Sequence, residues 1–217
     1  AITASLALAL SLVVTPLTRR LAWRLGFVAQ PAADRWHRRT VAMLGGVPVW
    51  LATLATVLLM GGQSPETAMV AIGASALFAL GLVDDIVPLK PSTKLSAEIV
   101  IACVVIAFGY QLHWTGSPLI DALVTIVWIV GITNAFNLLD NMDGLCAGVA
   151  VIAAVAFSAS IGMADRSALV YTAALAGATL GFLRYNFNPA SVFLGDCGSL
   201  LLGSTFALLA LSKESSG

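Results

Sequence analysis

The chain has 217 residues, of which 59% are hydrophobic and 10% are charged. Soluble domains carry roughly 25% charged residues, so this composition excludes an ordinary soluble protein and predicts a protein that crosses a membrane several times. Eleven basic and eleven acidic residues cancel, so the net charge offers no basis for a nucleic-acid partner, and we predict none.

Eight apolar stretches approach the roughly 20 residues that a membrane-spanning helix needs. They cover residues 1–17, 41–60, 67–83, 95–112, 118–136, 145–163, 168–183 and 199–211. No interval between them is long or polar enough to fold as a soluble domain. The sequence therefore predicts an all-α polytopic membrane bundle of about eight transmembrane helices, forming a single domain over residues 1–217.

The basic residues indicate the orientation of these helices. Nine of the eleven lysines and arginines follow the first, third or seventh stretch. Positive charge marks the cytoplasmic side, so the first helix should start outside and every odd-numbered helix should end inside. Five acids then fall at cytoplasmic helix ends: Asp84, Asp85, Asp140, Asp143 and Asp196.

Asp84 and Asp85 follow the third apolar stretch directly. Adjacent helical residues point about 100° apart, so one carboxylate can act on a substrate while the other anchors or tunes it. A solvated helix end is the alternative, although negative charge there opposes the helix dipole. Lys94 should begin the fourth helix, where it could meet a phosphate or simply anchor the helix at the membrane surface. Glu98 lies four residues further on, at the spacing of a helical ion pair with Lys94.

The stretch NLLDNMDGL places an amide and two carboxylates at a spacing of three residues: Asn137, Asp140 and Asp143. On a continuous helix these would form a slowly rotating stripe suited to a hard cation or a hydroxyl-rich ligand. Gly144 then allows the backbone to turn. A capping cluster for the sixth helix is the alternative.

Asp196 lies between Gly195 and a Cys-Gly pair just before the eighth stretch. It could be an N-cap for that helix. The flanking glycines favour a second interpretation, in which the carboxylate is open to something bulky such as a metal-bound phosphate. Mg²⁺ usually takes one or two protein oxygens and fills its shell with water and phosphate. Phe187 and Phe193 offer faces for a base, or core packing.

Four motifs occur in order along the chain: DRWHRRTVAMLGG, GLVDDIVPLKPSTKL, NAFNLLDNMDGL and RYNFNPASVFLGDCGSLLLG. Through them the chain resembles the polyprenyl-phosphate N-acetylhexosamine-1-phosphate transferases, which include phospho-MurNAc-pentapeptide translocase and bacterial undecaprenyl-phosphate GlcNAc-1-phosphate transferases. The resemblance implies transfer of a HexNAc 1-phosphate, with GlcNAc as the first choice, from a UDP-sugar to undecaprenyl or decaprenyl phosphate with release of UMP. It also implies a multi-pass protein of the bacterial cytoplasmic membrane, with its site facing the cytoplasm, in the first membrane step of cell-envelope glycan synthesis.

The resemblance further implies a role for each matching residue. Asp84 and Asp85 would be the catalytic pair near the lipid phosphate, with one of them as a base. Asp196 would be the main Mg²⁺ ligand with Asn137 close to the metal, and Mn²⁺ could replace Mg²⁺. The substrate-binding residues would be Lys94 at the diphosphate, Asp143, Asn186 and Phe193 around the uridine, and Asp140 along the same cleft. Arg35 and His37 match a family loop to which we assign no defined role. The resemblance leaves open whether the protein forms a homodimer.

Three departures and two alternatives accompany this resemblance. The loop before the Gly-Gly pair reads Thr40-Val41-Ala42 where the family has prolines, Asn141 leaves the sugar type open, and the HxH motif that follows further helices in the family is absent. We therefore expect a chain truncated at its C-terminus and beginning inside the natural protein, whose activity alone is in question.

CDP-alcohol phosphotransferases share the core that runs from Asp140 to Ala147 but need a further acid, and Asp165 falls on the outer face. A transporter should carry its acids near the bilayer midplane on broken helices.

Overall fold

The computed structural model describes residues 1–30, 40–161 and 164–215, with side chains through residue 211. These residues form eight helices and one short hairpin. They are α1 (Ile2–Leu25), β1 (Val28–Ala29), β2 (Val41–Ala42), α2 (Gly46–Met60), α3 (Pro65–Ile86), α4 (Pro91–Ala107), α5 (Pro118–Leu139), α6 (Leu145–Ile161), α7 (Arg166–Asn186) and α8 (Gly195–Ser215). The predicted all-α bundle is confirmed.

Membrane character is clear from length and composition. Four helices in the described part of the chain, α1, α3, α5 and α7, are long and apolar enough to span a bilayer, and α2, α6 and residues 195–211 of α8 are shorter apolar helices. Large apolar side chains face outward from several helices, among them Leu58, Ile72, Val127 and Ile152, which are 65–71% exposed. Such a surface is stable only against lipid or another apolar partner, so the chain is a multi-pass membrane protein.

Proline and glycine set the helix ends. Pro65, Pro91 and Pro118 each begin a helix, where the missing N–H costs nothing because the first turn has no intrahelical acceptor for it. Gly26 and Gly61 end α1 and α2 in the left-handed conformation, at φ 81° and 69°, which glycine adopts without steric cost.

Two predicted boundaries were wrong for reasons that hydropathy does not register. The first helix does not stop at residue 17 but continues through its arginines to Leu25, because charged residues are good helix formers once the helix leaves the bilayer. The second stretch does not begin as a helix, since Val41–Ala42 pairs antiparallel with Val28–Ala29. Helix α2 starts only at Gly46.

Helix α8 lies at the centre of the bundle and packs most extensively against α3 and α5. Glycines allow this close approach. A Cβ added at Gly81 would lie 2.4 Å from the Asp196 carbonyl oxygen, and one at Gly203 would lie 2.7 Å from the Thr133 Cα. Small residues at helix contacts are typical of membrane bundles, where association depends on close van der Waals packing.

Helices α1 and α7 run side by side in the same direction. Gly177 of α7 lies against Ala4, Gly181 lies against Ser11, and the Tyr185 hydroxyl donates to the Leu12 carbonyl. Both helices therefore end at the same end of the bundle, with Arg24 and Arg184 in their last turns. That end also carries the start of α8.

The hairpin fixes the loop between α7 and α8. Ala42 forms a parallel bridge with Val192, and the Phe193 amide donates to the Ala42 carbonyl at 2.8 Å. The Gly45 and Gly46 amides then donate to the carbonyls of Phe193 and Leu194 at 3.0 and 2.8 Å. The backbone around Phe193 is thus held on both sides before α8 begins.

Candidate active site

Four helix ends meet at one end of the bundle, and Lys94 lies at the point where they meet. Its ammonium pairs with Asp84 Oδ2 at the end of α3, at 3.0 Å, and with Asp196 Oδ2 at the start of α8. The side chains of Lys94 and Asp84 are each 13% exposed, and that of Asp196 is 35% exposed. The prediction that acidic clusters far apart in sequence converge on one face is confirmed.

Asn137, near the end of α5, completes the connection to α8. Its Nδ2 donates to Asp196 Oδ1 and to Ser199 Oγ, both at 2.9 Å. A pocket of about 250 Å³ opens beside this group, lined by Asp84, Lys94, Asn134 and Asn137 together with the apolar side chains of Leu89, Pro91 and Leu95. The pocket is smaller than the ~300–1,000 Å³ that whole drug-sized ligands occupy, so its size suits a phosphate group and its immediate surroundings.

The two adjacent aspartates point to different partners, as the helical spacing predicted. Asp84 lines the pocket and accepts a hydrogen bond from the Leu89 amide at 2.7 Å. Asp85 points away, and its two oxygens accept from the backbone amides of Asp196 and Cys197 at 2.8 and 3.0 Å. One carboxylate therefore faces the pocket and the other holds the start of α8.

The glycines beside Asp196 lie in close contact with protein atoms. A Cβ at Gly195 would lie 2.7 Å from Asp85 Oδ2, and one at Gly198 would meet the Leu194 side chain first and lie 3.0 Å from the Gly46 Cα. Packing therefore explains both glycines, and the expectation that they open Asp196 to a ligand stays a prediction.

The predicted stripe of Asn137, Asp140 and Asp143 is interrupted because α5 ends at Leu139. Asp140 becomes the C-terminal cap residue, and burial together with the negative charges of Asp196 and Asp85 raises its pKa well above the usual range. Asp140 therefore lies at the acidic cluster.

Asp143 lies beyond the turn and faces the loop after α7. Its Oδ2 accepts from the Ala190 amide at 2.9 Å and from Asn188 Nδ2 at 3.3 Å. Gly144 turns the chain at φ 73°, as predicted.

Asn186 is 2% exposed and ties two loops together. Its Oδ1 accepts from the Gly144 amide at 3.1 Å, and its Nδ2 donates to the Val192 carbonyl at 3.0 Å. Phe193 follows in the loop that the hairpin holds. The structure thus brings Asp143, Asn186 and Phe193 to one region, next to the acidic cluster, and their contact with a nucleotide stays a prediction.

Glu98 does not pair with Lys94. Its Oε2 instead accepts a hydrogen bond from Asn134 Nδ2, because Asp84 and Asp196 already hold the ammonium. Glu98 is 1% exposed, and its Oε1 has no hydrogen-bond partner among the described residues. Sequence reasoning missed Asn134, and its signal was available: an isolated amide inside an apolar helix is costly unless it has a polar partner.

Two further predictions concern residues away from this group. Arg35 and His37 lie outside the described residues. Asp165 caps the start of α7 by accepting from the Ala168 amide at 3.0 Å, at the opposite end of that helix from Asn186. The acid that a CDP-alcohol phosphotransferase would need is therefore not at this site.

The donor set is compatible with a hard divalent cation. Within residues 1–30, 40–161 and 164–215, no three or more His, Cys, Asp and Glu side chains form a ready-made metal site. Mg²⁺ does not need one, because it binds through one or two carboxylates plus water and substrate phosphate. The two carboxylates that share the Lys94 ammonium are Asp84, which lines the pocket, and Asp196.

The comparison with known families decides the membership. Residues 67–214 match glycosyl transferase family 4. The chain belongs to this family. The match begins inside α3 and ends in α8, so it contains the two aspartates, the lysine, the NLLDNMDGL turn and Asp196.

The alignments with named relatives cover most of this chain. It is 35% identical to a probable undecaprenyl-phosphate N-acetylglucosaminyl 1-phosphate transferase from Bacillus subtilis over 92% of this chain and 59% of that protein. It is 32% identical to a phospho-N-acetylmuramoyl-pentapeptide-transferase from Heliobacterium modesticaldum, over 90% and 68% of the two chains. A decaprenyl-phosphate N-acetylglucosaminephosphotransferase from Mycolicibacterium smegmatis is 33% identical over 87% and 54%. The chain thus spans about half to two thirds of the length of these relatives.

Proposed function

We propose that this chain forms part of an enzyme that transfers N-acetylglucosamine 1-phosphate from UDP-GlcNAc to a polyprenyl phosphate and releases UMP. The observation that carries the proposal is the convergence of four helix ends: Asp84, Lys94 and Asn137 line one pocket, and Asp196 is bonded to both Lys94 and Asn137. Two of the three relatives described above are named for N-acetylglucosamine transfer to a polyprenyl phosphate, which supports GlcNAc over other hexosamines.

The position of the pocket suits a reaction between a lipid and a nucleotide. It lies at the end of the bundle where basic residues end α1 and α7, and positive charge marks the cytoplasmic face. The lipid phosphate would enter from the bilayer and the UDP-sugar from the cytoplasm. We therefore place the enzyme in the bacterial cytoplasmic membrane with this end facing inward.

The residues supply positioning and charge neutralisation, which are the main requirements of phosphoryl transfer. An oxygen of the polyprenyl phosphate attacks the phosphorus that carries the sugar, the bond from that phosphorus to UMP breaks, and the products are polyprenyl diphosphate GlcNAc and UMP. Lys94 donates from its ammonium to the phosphate oxygens, and Asp84 holds that ammonium at the pocket.

A divalent cation fits the same group. Asp196 would hold Mg²⁺ or Mn²⁺, with Asn137 next to it, and the bound ion would neutralise charge on the transferring phosphate. In the structure, Asn137 Nδ2 donates one hydrogen bond to Asp196 Oδ1, which orients the carboxylate. Phe193 and the Asp143 loop would lie against the uridine.

The test uses the full-length gene product in detergent with labelled UDP-GlcNAc, undecaprenyl phosphate and Mg²⁺. We expect UMP release in step with lipid-linked label, lost in EDTA and restored by Mg²⁺ or Mn²⁺. Asp84→Asn should cut turnover severely while the protein stays folded, and Asp165→Asn at the opposite end of the bundle is the matched control that should turn over normally. Substrate flux in liposomes without UMP would instead support a transporter.

A further inference from the structure

We propose that Asp85 is a positioning residue, which fixes the start of α8 and thereby the carboxylate of Asp196, and that Asp84 alone of the pair faces the reacting phosphates. The inference rests on the proposed function for its account of Asp196. It divides the labour of the adjacent acids, which the sequence left open.

The partners of Asp85 are backbone amides at the start of α8. The first N–H groups of a helix lack intrahelical acceptors and need a cap. Helix α8 begins at Gly195, and the amides of Asp196 and Cys197 donate to Asp85 Oδ1 and Oδ2. Asp85 is therefore an N-terminal cap for α8, supplied from a different helix.

Helices α3 and α8 pack tightly around the Asp85 carboxylate. Gly195 has φ 76°, and a Cβ there would lie 2.7 Å from Asp85 Oδ2. One turn earlier on α3, a Cβ at Gly81 would lie 2.4 Å from the carbonyl oxygen of Asp196. The backbone that carries Asp196 is thus set against α3 on both sides of its Cα.

Asp85 is bonded to the backbone of α8 and not to the group at the pocket. Asp84 and Lys94 line the pocket, and Asp196 is bonded to Lys94 and to Asn137, whereas both oxygens of Asp85 accept from backbone amides. A group that acts on a phosphate must be within about 2.6–3.2 Å of the atom it serves. Asp85 meets that criterion for backbone amides of α8.

The consequence concerns metal affinity more than the chemical step. The two amides donate to different oxygens of Asp85. An asparagine at position 85 would place its NH₂ against one of these N–H donors, so that bond would be lost in the present geometry. We expect Asp85→Asn to raise the half-saturating Mg²⁺ concentration about 10- to 100-fold, as loss of a group supporting a metal ligand typically does. Turnover should then recover substantially at saturating Mg²⁺.

A second measurement reports the α8 anchor without any turnover. Cys197 is fully buried in the first turn of α8, and Cys146, on α6, is 1% exposed. Labelling of the full-length protein with N-ethylmaleimide, read by site-resolved mass spectrometry, should become several-fold faster at Cys197 in Asp85→Asn. Cys146 should stay protected, which shows that the bundle is folded.

Gly195→Ala is a second variant, because it disturbs the same anchor without removing a titratable group. It should reproduce both effects. Gly148→Ala, whose added Cβ meets no atom of the described residues within 4 Å, should show neither. Wild-type protection of Cys197 in Asp85→Asn, or turnover that stays low at saturating Mg²⁺, would overturn the assignment. Absence of UMP release from the wild type would refute the proposed function alone, since labelling of Cys197 tests the anchor independently.

Discussion

Gly81→Ala tests how closely the site depends on the packing of α3 against α8. The added Cβ would lie 2.4 Å from the Asp196 carbonyl oxygen and 2.7 Å from the Cys197 Cα. Both are backbone atoms, so no side chain can rotate out of the way. Restoring an ordinary contact requires the two helices to separate by about 1 Å.

That displacement exceeds what the hydrogen bonds of Asp85 tolerate. The bonds to the Asp196 and Cys197 amides start at 2.8 and 3.0 Å, and a shift of about 1 Å takes both beyond hydrogen-bond range. Strain and lost bonding together should lower the free energy of unfolding by about 2–4 kcal/mol. Turnover should fall about 100-fold, since a misplacement of about 1 Å at a reacting group has that effect.

The assay pairs UMP release with thermal unfolding of the full-length protein in detergent. Gly131→Ala is the matched control, because the same substitution on α5 adds a Cβ that meets nothing within 4 Å in the part of the chain that the structure describes. It should leave both readings near the wild type. A Gly81→Ala protein that melts and turns over within twofold of the wild type would refute the claim that contact between α3 and α8 sets the site.

Three further predictions follow from single side chains. Asn186→Ala leaves the Gly144 amide and the Val192 carbonyl without their buried partner, so the melting temperature should drop by an amount equivalent to about 1–3 kcal/mol; an unchanged melting curve would contradict this. Phe193→Leu keeps apolar volume but removes the aromatic face, and the KM for the UDP-sugar should rise about 5- to 100-fold if a base stacks there, whereas an unaltered KM removes Phe193 from the nucleotide site. Lys94→Met leaves the charges of Asp84 and Asp196 without their ammonium partner, so a bound Mg²⁺ should stabilise the variant more than it stabilises the wild type. The difference between the melting temperatures in Mg²⁺ and in EDTA should therefore be larger in the variant, and an equal difference would argue against a shared cation site.

Hydropathy and charge were enough to predict the helices and the meeting of the acidic residues at one end of the bundle. Apolar stretches of near-spanning length can satisfy their backbone hydrogen bonds in a bilayer only as helices. The arginines and lysines then predict which end of each helix lies on the same side of the membrane. The convergence of Asp84, Lys94 and Asp196 followed from that assignment. No contact between individual side chains was needed for it.

The details that failed were those set by tertiary contacts. Residues 41–42 pair in a strand because Val28–Ala29 and Val192 lie beside them, and no local pattern shows that. Gly195 and Gly198 suggested an open site, although Asp85 occupies the space beside Gly195, and Leu194 and Gly46 occupy the space beside Gly198. Glu98 lies at the spacing of a helical ion pair with Lys94, yet the Lys94 ammonium pairs with Asp84 and Asp196 instead.

The hairpin and the segment before α8 have a consequence for inhibitor design. Because backbone bonds on both sides hold Phe193 to Ala42 and Gly45, a flat heterocycle stacked on this ring would meet a surface that is already ordered, and little binding energy would be spent on shaping the receptor. Drug resistance through local rearrangement of that segment would have to disrupt the junction with α2 as well.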